Sequence, residues 1–308
     1  MPTPIILDCD PGHDDAVAIL MAVASPLIEL RAVTTVAGNQ TLDKVHYNAL
    51  RVLTLANAQV PVAAGACTPL SKVLVTAGYV HGESGIEGAE LPKPAFAAET
   101  CSAVELIAKT VKESDGLITL VPTGPLTNIA TFLLAYPDLK SRIKQIVLMG
   151  GGQYGNITPS AEFNIFVDPD AAKIVFQSGI PIVMCGLDVT HKAYLTREDA
   201  DHIRKLNKVG ETLGGFYDFY TGYYGQHNKQ CPGAPMHDPC TIAWLIDPNL
   251  FTGRQCHVDV ETHGQLTEGM TVVDFFGVTD KTANAEFIYD VDRQGFVDQL
   301  FELLKYYS

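Results

Sequence analysis

The stretch Asp8-Cys9-Asp10-Pro11-Gly12-His13-Asp14-Asp15 lies between an apolar strand-like run, Ile5 to Leu7, and an apolar helix-like run, Ala16 to Ala24. Pro11-Gly12 supplies the tight turn between them, and Asp14 is placed to cap the helix. Four carboxylates in eight residues repel one another. A folded chain keeps such groups together when a cation neutralises them or when one of them holds a proton for chemistry. One Asp is enough for a cap, so four point to a metal and catalytic site.

Outward from this turn, short Val/Ile/Leu-rich runs alternate with segments of helical period. The strand candidates are Ile5 to Leu7, Leu30 to Val36, Val60 to Ala63, Leu117 to Val121, Ile146 to Met149 and Ile182 to Cys185. Helices are predicted over Asp14 to Ala24, Leu42 to Ala56, Ala103 to Lys112, Leu126 to Leu134, and Asp168 to Gln177, the last with Asp168 as cap and Pro169 at the first helical position. Continuously apolar strands separated by helices imply a parallel sheet covered on both faces. Beyond about residue 195 the pattern becomes a long helical stretch, Ala200 to Gln226, and then a helix from His237 to Ile246. Short alternating runs follow at His257 to Glu261, Thr271 to Phe276 and Glu286 to Val291, before a last amphipathic helix through Phe296, Val297, Leu300, Phe301 and Leu304. No linker, charge run or repeat divides residues 1–308, so the expected fold is one α/β domain: a mostly parallel, Rossmann-like sheet flanked by helices, with helical and β additions toward the C-terminus.

Of the 308 residues 47% are hydrophobic and 18% charged, which is enough apolar material for a large core. A formal charge of -14 argues against nucleic acid or an anionic membrane as the main partner and favours a small neutral ligand, or one bridged by a cation. Met1 to Pro4 holds no basic leader, and the longest uncharged stretch, Gly116 to Pro137, is broken by Pro122, Gly124, Pro125 and Asn128. A soluble, cytoplasmic protein is the expectation. Seven irregularly spaced cysteines suggest free thiols, with Cys9, Cys185 and Cys240 buried.

Ligands of an open α/β sheet gather at the carboxyl ends of its strands. Asp8 and Asp10 follow the first strand, Asn39 the second and Thr123 the fourth; the loop Gly150-Gly151-Gly152 to Asn156 follows the fifth, and Asp188 the sixth. Hard oxygen donors without a Cys/His cluster select calcium or magnesium over zinc. Thr123, in the turn Pro122-Thr123-Gly124-Pro125, offers a carbonyl that a turn leaves unpaired, and a plain turn or cap explains it equally well. In Ala161-Glu162-Phe163-Asn164 an extended backbone sets Glu162 and Asn164 on one face, a clamp for vicinal hydroxyls or else a solvated loop face. Asp238 stands at the start of an apolar helix, where capping alone accounts for it, and His237 beside it is a proton donor or a satisfied loop histidine. His81 lies in the glycine-rich Val80-His81-Gly82-Glu83-Ser84-Gly85, a flap or a surface loop.

Together these residues resemble a known family. Asp8-Cys9-Asp10-Pro11-Gly12-His13-Asp14-Asp15-Ala16 is similar to the N-terminal signature of the inosine-uridine-preferring nucleoside hydrolases. The likeness continues through Val36-Ala37-Gly38-Asn39-Gln40-Thr41, His81 to Gly85, Val121 to Asn128, Leu148 to Gly152, Ala161 to Asn164 and His237-Asp238-Pro239. It implies that Asp10, Asp15, the Thr123 carbonyl and Asp238 hold a calcium ion, and that Asp14, Asn39, Asn156, Glu162 and Asn164 grip the ribose. It also implies that His237 is the acid for the leaving base, that His81, Tyr220 and Tyr224 lie near that base, and that the protein is a homotetramer serving nucleoside salvage.

Hydrolysis of an N-ribosidic bond passes through an oxocarbenium-like state, so positive charge must be stabilised on the sugar and water delivered to its anomeric carbon. Asp10 beside that water is the expected general base, and His237 the acid if it titrates near neutrality. Base preference stays open. Thr221 matches one member of the Thr, Gln and Tyr set of pyrimidine-preferring relatives, while Gly225 and Lys229 stand where the other two would, and Tyr220 with Tyr224 resembles relatives of broad tolerance. Two alternatives remain at this point: a magnesium-dependent phosphatase of the haloacid dehalogenase type, with Asp8 as nucleophile, and a calcium-dependent ribose-binding protein without turnover.

Overall fold

Eight strands make the central sheet: β1 (Thr3–Cys9), β2 (Ile28–Thr35), β3 (Val62–Ala64), β4 (Ile118–Pro122), β5 (Ile143–Met149), β6 (Ile182–Cys185), β7 (Phe251–Cys256) and β8 (Ala285–Val291). In the computed structural model, which describes residues 1–227 and 232–308 and leaves the side chains of 223–227 outside that description, they run in the order β3-β2-β1-β4-β5-β6-β8-β7. Every neighbouring pair is parallel except β7 with β8.

Alternation within the strands feeds two cores. Ile5, Leu7 and Cys9 of β1 face one side with Val121, Val147 and Val183. Ile6 faces the other with Leu120, Ile146, Leu148, Ile182 and Met184. Helices His13–Ala24, Leu42–Leu55, Pro239–Ile246 and Arg293–Leu304 cover the first face. Helices Ala103–Glu113, Thr127–Ala135 and Pro169–Phe176 cover the second. Each fully buried Ile, Leu or Phe in these layers contributes about 1.5–3 kcal/mol, which fixes the strand ends against which the loops are built. Local signals agree: Ser102 and Glu105 form a capping box, and Asp168 caps the helix that Pro169 opens. Cys9, Cys185 and Cys240 are buried and free.

The predicted elements appear with ends shifted by a few residues, and three readings need correction. The stretch Ala200 to Gln226 is two helices, Arg197–Ile203 and Lys208–His227. The chain turns sharply at Asn207, whose side chain accepts from Gly210 N at 2.9 Å, and a Cβ on Gly210 would strike the Ile203 carbonyl. Strand β7 was not expected. Four of its six residues are exposed, so as an antiparallel edge strand it shows no buried alternation. Asp14 does not cap the first helix, because Gly12 occupies the N-cap position and Asp14 sits inside the first turn.

Candidate active site

Strand order reverses at β1, which has β2 on one side and β4 on the other, and the crevice outside their carboxyl ends is the switch point of the sheet. A cavity of about 260 Å³ opens there. One side is lined by oxygen and amide groups: Asp14, Asn39, Thr123, Glu162, Asn164 and Asp238. The other is lined by rings: Tyr79, His81, His191, Tyr220 and His237. Asn156 also reaches the cavity, although the residue is exposed and its Oδ1 accepts from Phe163 N at 2.9 Å.

The oxygen side grows from the strand ends. Asp15 accepts from Gly12 N at 3.0 Å, Asn39 Nδ2 at 3.2 Å and Thr123 Oγ1 at 2.9 Å, which draws the loops after β1, β2 and β4 together. Asp10 Oδ2 accepts from Asn39 N at 2.6 Å, whereas its buried Oδ1 meets no partner among the described residues. Side chains at Gly38 or Gly124 would collide with that carboxylate, so both glycines are needed for the close approach. Carboxylate oxygens of Asp14, Asp15 and Asp238 lie within 4.8 Å of one another. Burial and the neighbouring Asp15 raise Asp14 to about 7 and Asp10 well above the carboxylate range; burial with Asp14, Asp15 and Asp10 raises Asp238 likewise. An orphaned carboxylate oxygen beside crowded acids and a carbonyl is a donor set that fits a hard divalent cation.

Glu162 and Asn164 do meet the cavity together, by a different device from an extended strand. Glu162 caps the short helix Phe163–Val167: its Oε1 accepts from Asn164 N at 3.0 Å and its Oε2 from Ile165 N at 3.2 Å and Gly151 N at 2.9 Å. Burial pushes Glu162 to about 7. Asn164 Nδ2 donates to the Thr123 carbonyl at 2.8 Å, so that carbonyl is paired on one lobe, contrary to the sequence expectation. Asp238 occupies the N-cap position of Pro239–Ile246 yet makes no side-chain cap, which leaves its carboxylate to the acidic cluster.

On the ring side, His237 Nδ1 lies 2.7 Å from Thr190 Oγ1, and its ring meets His191 edge-on at 5.5 Å. Burial and His191 hold His237 well below the usual imidazole range, so the expected titration near neutrality is not met in the free protein. His81 stacks on Tyr220 at 5.7 Å and on His13 at 5.2 Å. Lys229 lies outside the described residues, and at Tyr224 and Gly225 only the helical backbone is described. The Thr221 hydroxyl donates to the Tyr217 carbonyl of its own helix at 2.8 Å, and Thr221 does not line the cavity. Sequence reasoning missed Thr190, His191 and Tyr79. After β6 it selected Asp188, but the helical turn Leu187–Thr190 directs Asp188 to Gln153 instead and carries the useful side chains to the following residues. Asp8, the nucleophile of the phosphatase reading, is fully buried, accepts from Thr34 and Asn128, and does not reach the cavity.

A family model described as inosine-uridine preferring nucleoside hydrolase matches residues 5–298. The pyrimidine-specific ribonucleoside hydrolase RihA of Escherichia coli O127:H6 is 54% identical over 311 aligned residues, covering 100% of both chains. Among solved structures, a purine-preferring ribonucleoside hydrolase from Gardnerella vaginalis superposes with a TM-score of 0.92 at 35% identity over 98% of each chain. A plant nucleoside hydrolase superposes with a TM-score of 0.90 at 32% identity over 99% of each chain.

Proposed function

The chain belongs to the inosine-uridine preferring nucleoside hydrolase family and is a ribonucleoside hydrolase, and from that premise we propose how its cavity divides the work and which nucleosides it prefers. The observation that carries the reading is the meeting, in one cavity, of a crowded carboxylate side and a ring side joined at His237-Asp238. Asp14, Asn39, Asn156, Glu162 and Asn164 bind the ribose hydroxyls. Asp10, Asp15, Asp238 and the free lobe of the Thr123 carbonyl would hold calcium, with Asp14 beside them. When bound, the cation supplies an anchor for the sugar diol and for a water. Asp10, whose Oδ1 meets no hydrogen-bond partner among the described residues, takes the proton from the water that attacks the anomeric carbon. The planar base then lies among Tyr79, His81 and Tyr220. As the N-ribosidic bond opens, negative charge grows on the base and raises the proton affinity of the His237 ring, which takes up a proton from solvent and passes it to the departing nitrogen.

Pyrimidine ribonucleosides are the preferred substrates in this reading. Full-length identity of 54% to a hydrolase named as pyrimidine-specific supports it over the 35% shared with one named as purine-preferring. A cytoplasmic homotetramer acting in nucleoside salvage is the setting that the family likeness implies. No helix among the described residues is long and apolar enough to cross a membrane. The test is ribose release from uridine, cytidine, inosine and adenosine in one assay. Higher kcat/KM on uridine and cytidine is expected; preference for inosine rejects the pyrimidine assignment, and no ribose from any of the four rejects the whole reading. Light scattering that showed only monomer at micromolar concentration would remove the tetramer.

A further inference from the structure

His13 belongs to the opening motif, yet the scheme above gives it no task, and its ring is buried beneath the ring side of the cavity. Its Nε2 lies 2.7 Å from the Glu87 carbonyl oxygen and its Nδ1 lies 2.9 Å from His81 Nδ1. A carbonyl oxygen only accepts, so the contact to Glu87 places a proton on His13 Nε2. A buried imidazole with its one proton on Nε2 is neutral, and its Nδ1 is then a lone pair. Two ring nitrogens at 2.9 Å share a hydrogen bond only when one of them is protonated, and here that must be His81 Nδ1. His81 is also held neutral by burial, which leaves its Nε2 bare. No hydrogen-bond partner meets that nitrogen among the described residues, and the ring lines the cavity. The His13 backbone N–H also approaches His81 Nδ1, at 3.4 Å, but this is the longest of the three contacts and yields to the two shorter ones. Gly12 permits the arrangement: a Cβ there would lie 2.7 Å from His81 Cε1 and Nδ1.

We propose that His13 is a positioning residue that fixes the proton of His81 on Nδ1, so that His81 Nε2 meets the base as a hydrogen-bond acceptor. The inference deepens the nucleoside-hydrolase reading and rests on it for the identity of the ligand. It selects bases that present an imino or amino N–H to that side of the cavity. It also separates two histidines of one cavity by role, His81 reading the base and His237 protonating it.

The decisive experiment is a 15N NMR spectrum of the full chain labelled at histidine, with the His81 ring assigned by its loss in His81→Gln. His81 should show a protonated Nδ1 and a bare Nε2; a proton on Nε2 overturns the proposal. His13→Phe keeps a ring in the stack but removes both nitrogens, so the His81 proton should move toward Nε2. Its kcat/KM on uridine should fall by about tenfold to a hundredfold, as for a lost buried hydrogen bond, and by about fivefold less on p-nitrophenyl riboside. His13→Asn places an amide oxygen near the site of Nδ1 and should retain the His81 tautomer with part of the uridine activity. Equal losses on both substrates with an unchanged tautomer would mean that His13 only packs, and would reject the assignment. If His13→Phe fails to fold, the wild-type and His13→Asn spectra still decide. The spectrum needs no substrate, so a wild type that released no ribose would defeat the functional reading while leaving the tautomer test intact.

Discussion

Burial acts on the two sides of the cavity in opposite directions. It raises the acids of the oxygen side, Asp14 and Glu162 to about 7 and Asp10 and Asp238 well above the usual carboxylate range, and it lowers His81, His191 and His237 on the ring side. Both sides therefore lean toward neutral forms in the free protein, for the same physical reason. What relieves them differs. The oxygen side needs positive charge brought in, first by a cation and then by the oxocarbenium character of the sugar. The ring side needs negative charge, which arrives only on a departing base. The difference teaches that the cavity is matched to the charge distribution of the transition state and poorly matched to either product alone.

The largest effect that can test this contrast is removal of the cation. Prolonged chelation should lower ribose release by about 1,000-fold or more, as loss of a Lewis acid worth several kcal/mol implies. It should also lower Tm, since a ligand present at 100 times its Kd stabilises the fold by about 2.7 kcal/mol. Unchanged activity and melting after chelation would show that the carboxylates are relieved by protons alone. Next in size is Asp10→Asn, which keeps the shape held between Gly38 and Gly124 but loses the basic oxygen. Turnover should fall by about 100-fold to 10,000-fold, and equally for every nucleoside and for p-nitrophenyl riboside, because attack of water is common to all. A loss confined to some bases would move Asp10 out of the water-activating role.

The same contrast explains what could be read before the fold was seen. Asp10, Asn39 and Thr123 each lie in the loop after an apolar strand, so the rule that sites form at strand carboxyl ends picks them out one by one. Continuous apolar runs likewise made β1 to β6 and the covering helices legible, whereas the exposed edge strand Phe251–Cys256 carries no such pattern. The ring side has no comparable signal. His81 ends a single helical turn in a long irregular segment, His191 follows another such turn, and both reach the cavity only through tertiary packing. His13 stands in plain view in the motif, but its partners, His81 and the Glu87 carbonyl, are 68 and 74 residues away.

Substitutions on the ring side should distinguish substrates where those on the oxygen side do not. His237→Ala should reduce kcat on uridine and inosine by about 100-fold, the lower part of the range for a lost general acid. An activated leaving group needs no proton, so p-nitrophenyl riboside should be affected far less. Equal losses would assign His237 to holding the sugar or the loop.

The smallest effect sharpens the contrast furthest, because it touches no substrate. Thr190 is fully buried, and its hydroxyl lies 2.7 Å from His237 Nδ1. Thr190→Val has nearly the same shape and removes only that hydroxyl. A net hydrogen bond of this kind is worth about 0.5–1.5 kcal/mol, so kcat on uridine should fall by roughly twofold to tenfold. If the hydroxyl aims the His237 ring at the departing base, the loss should follow the leaving group as it does in His237→Ala, at reduced size, with KM little changed. In the double variant Thr190→Val with His237→Ala, the Thr190 substitution should then cost nothing further, since the ring it aims is gone. Additive losses, or an equal loss on p-nitrophenyl riboside, would show that Thr190 supports the β6 end of the sheet, and the ring side would then lose its distinct dependence on leaving-group chemistry.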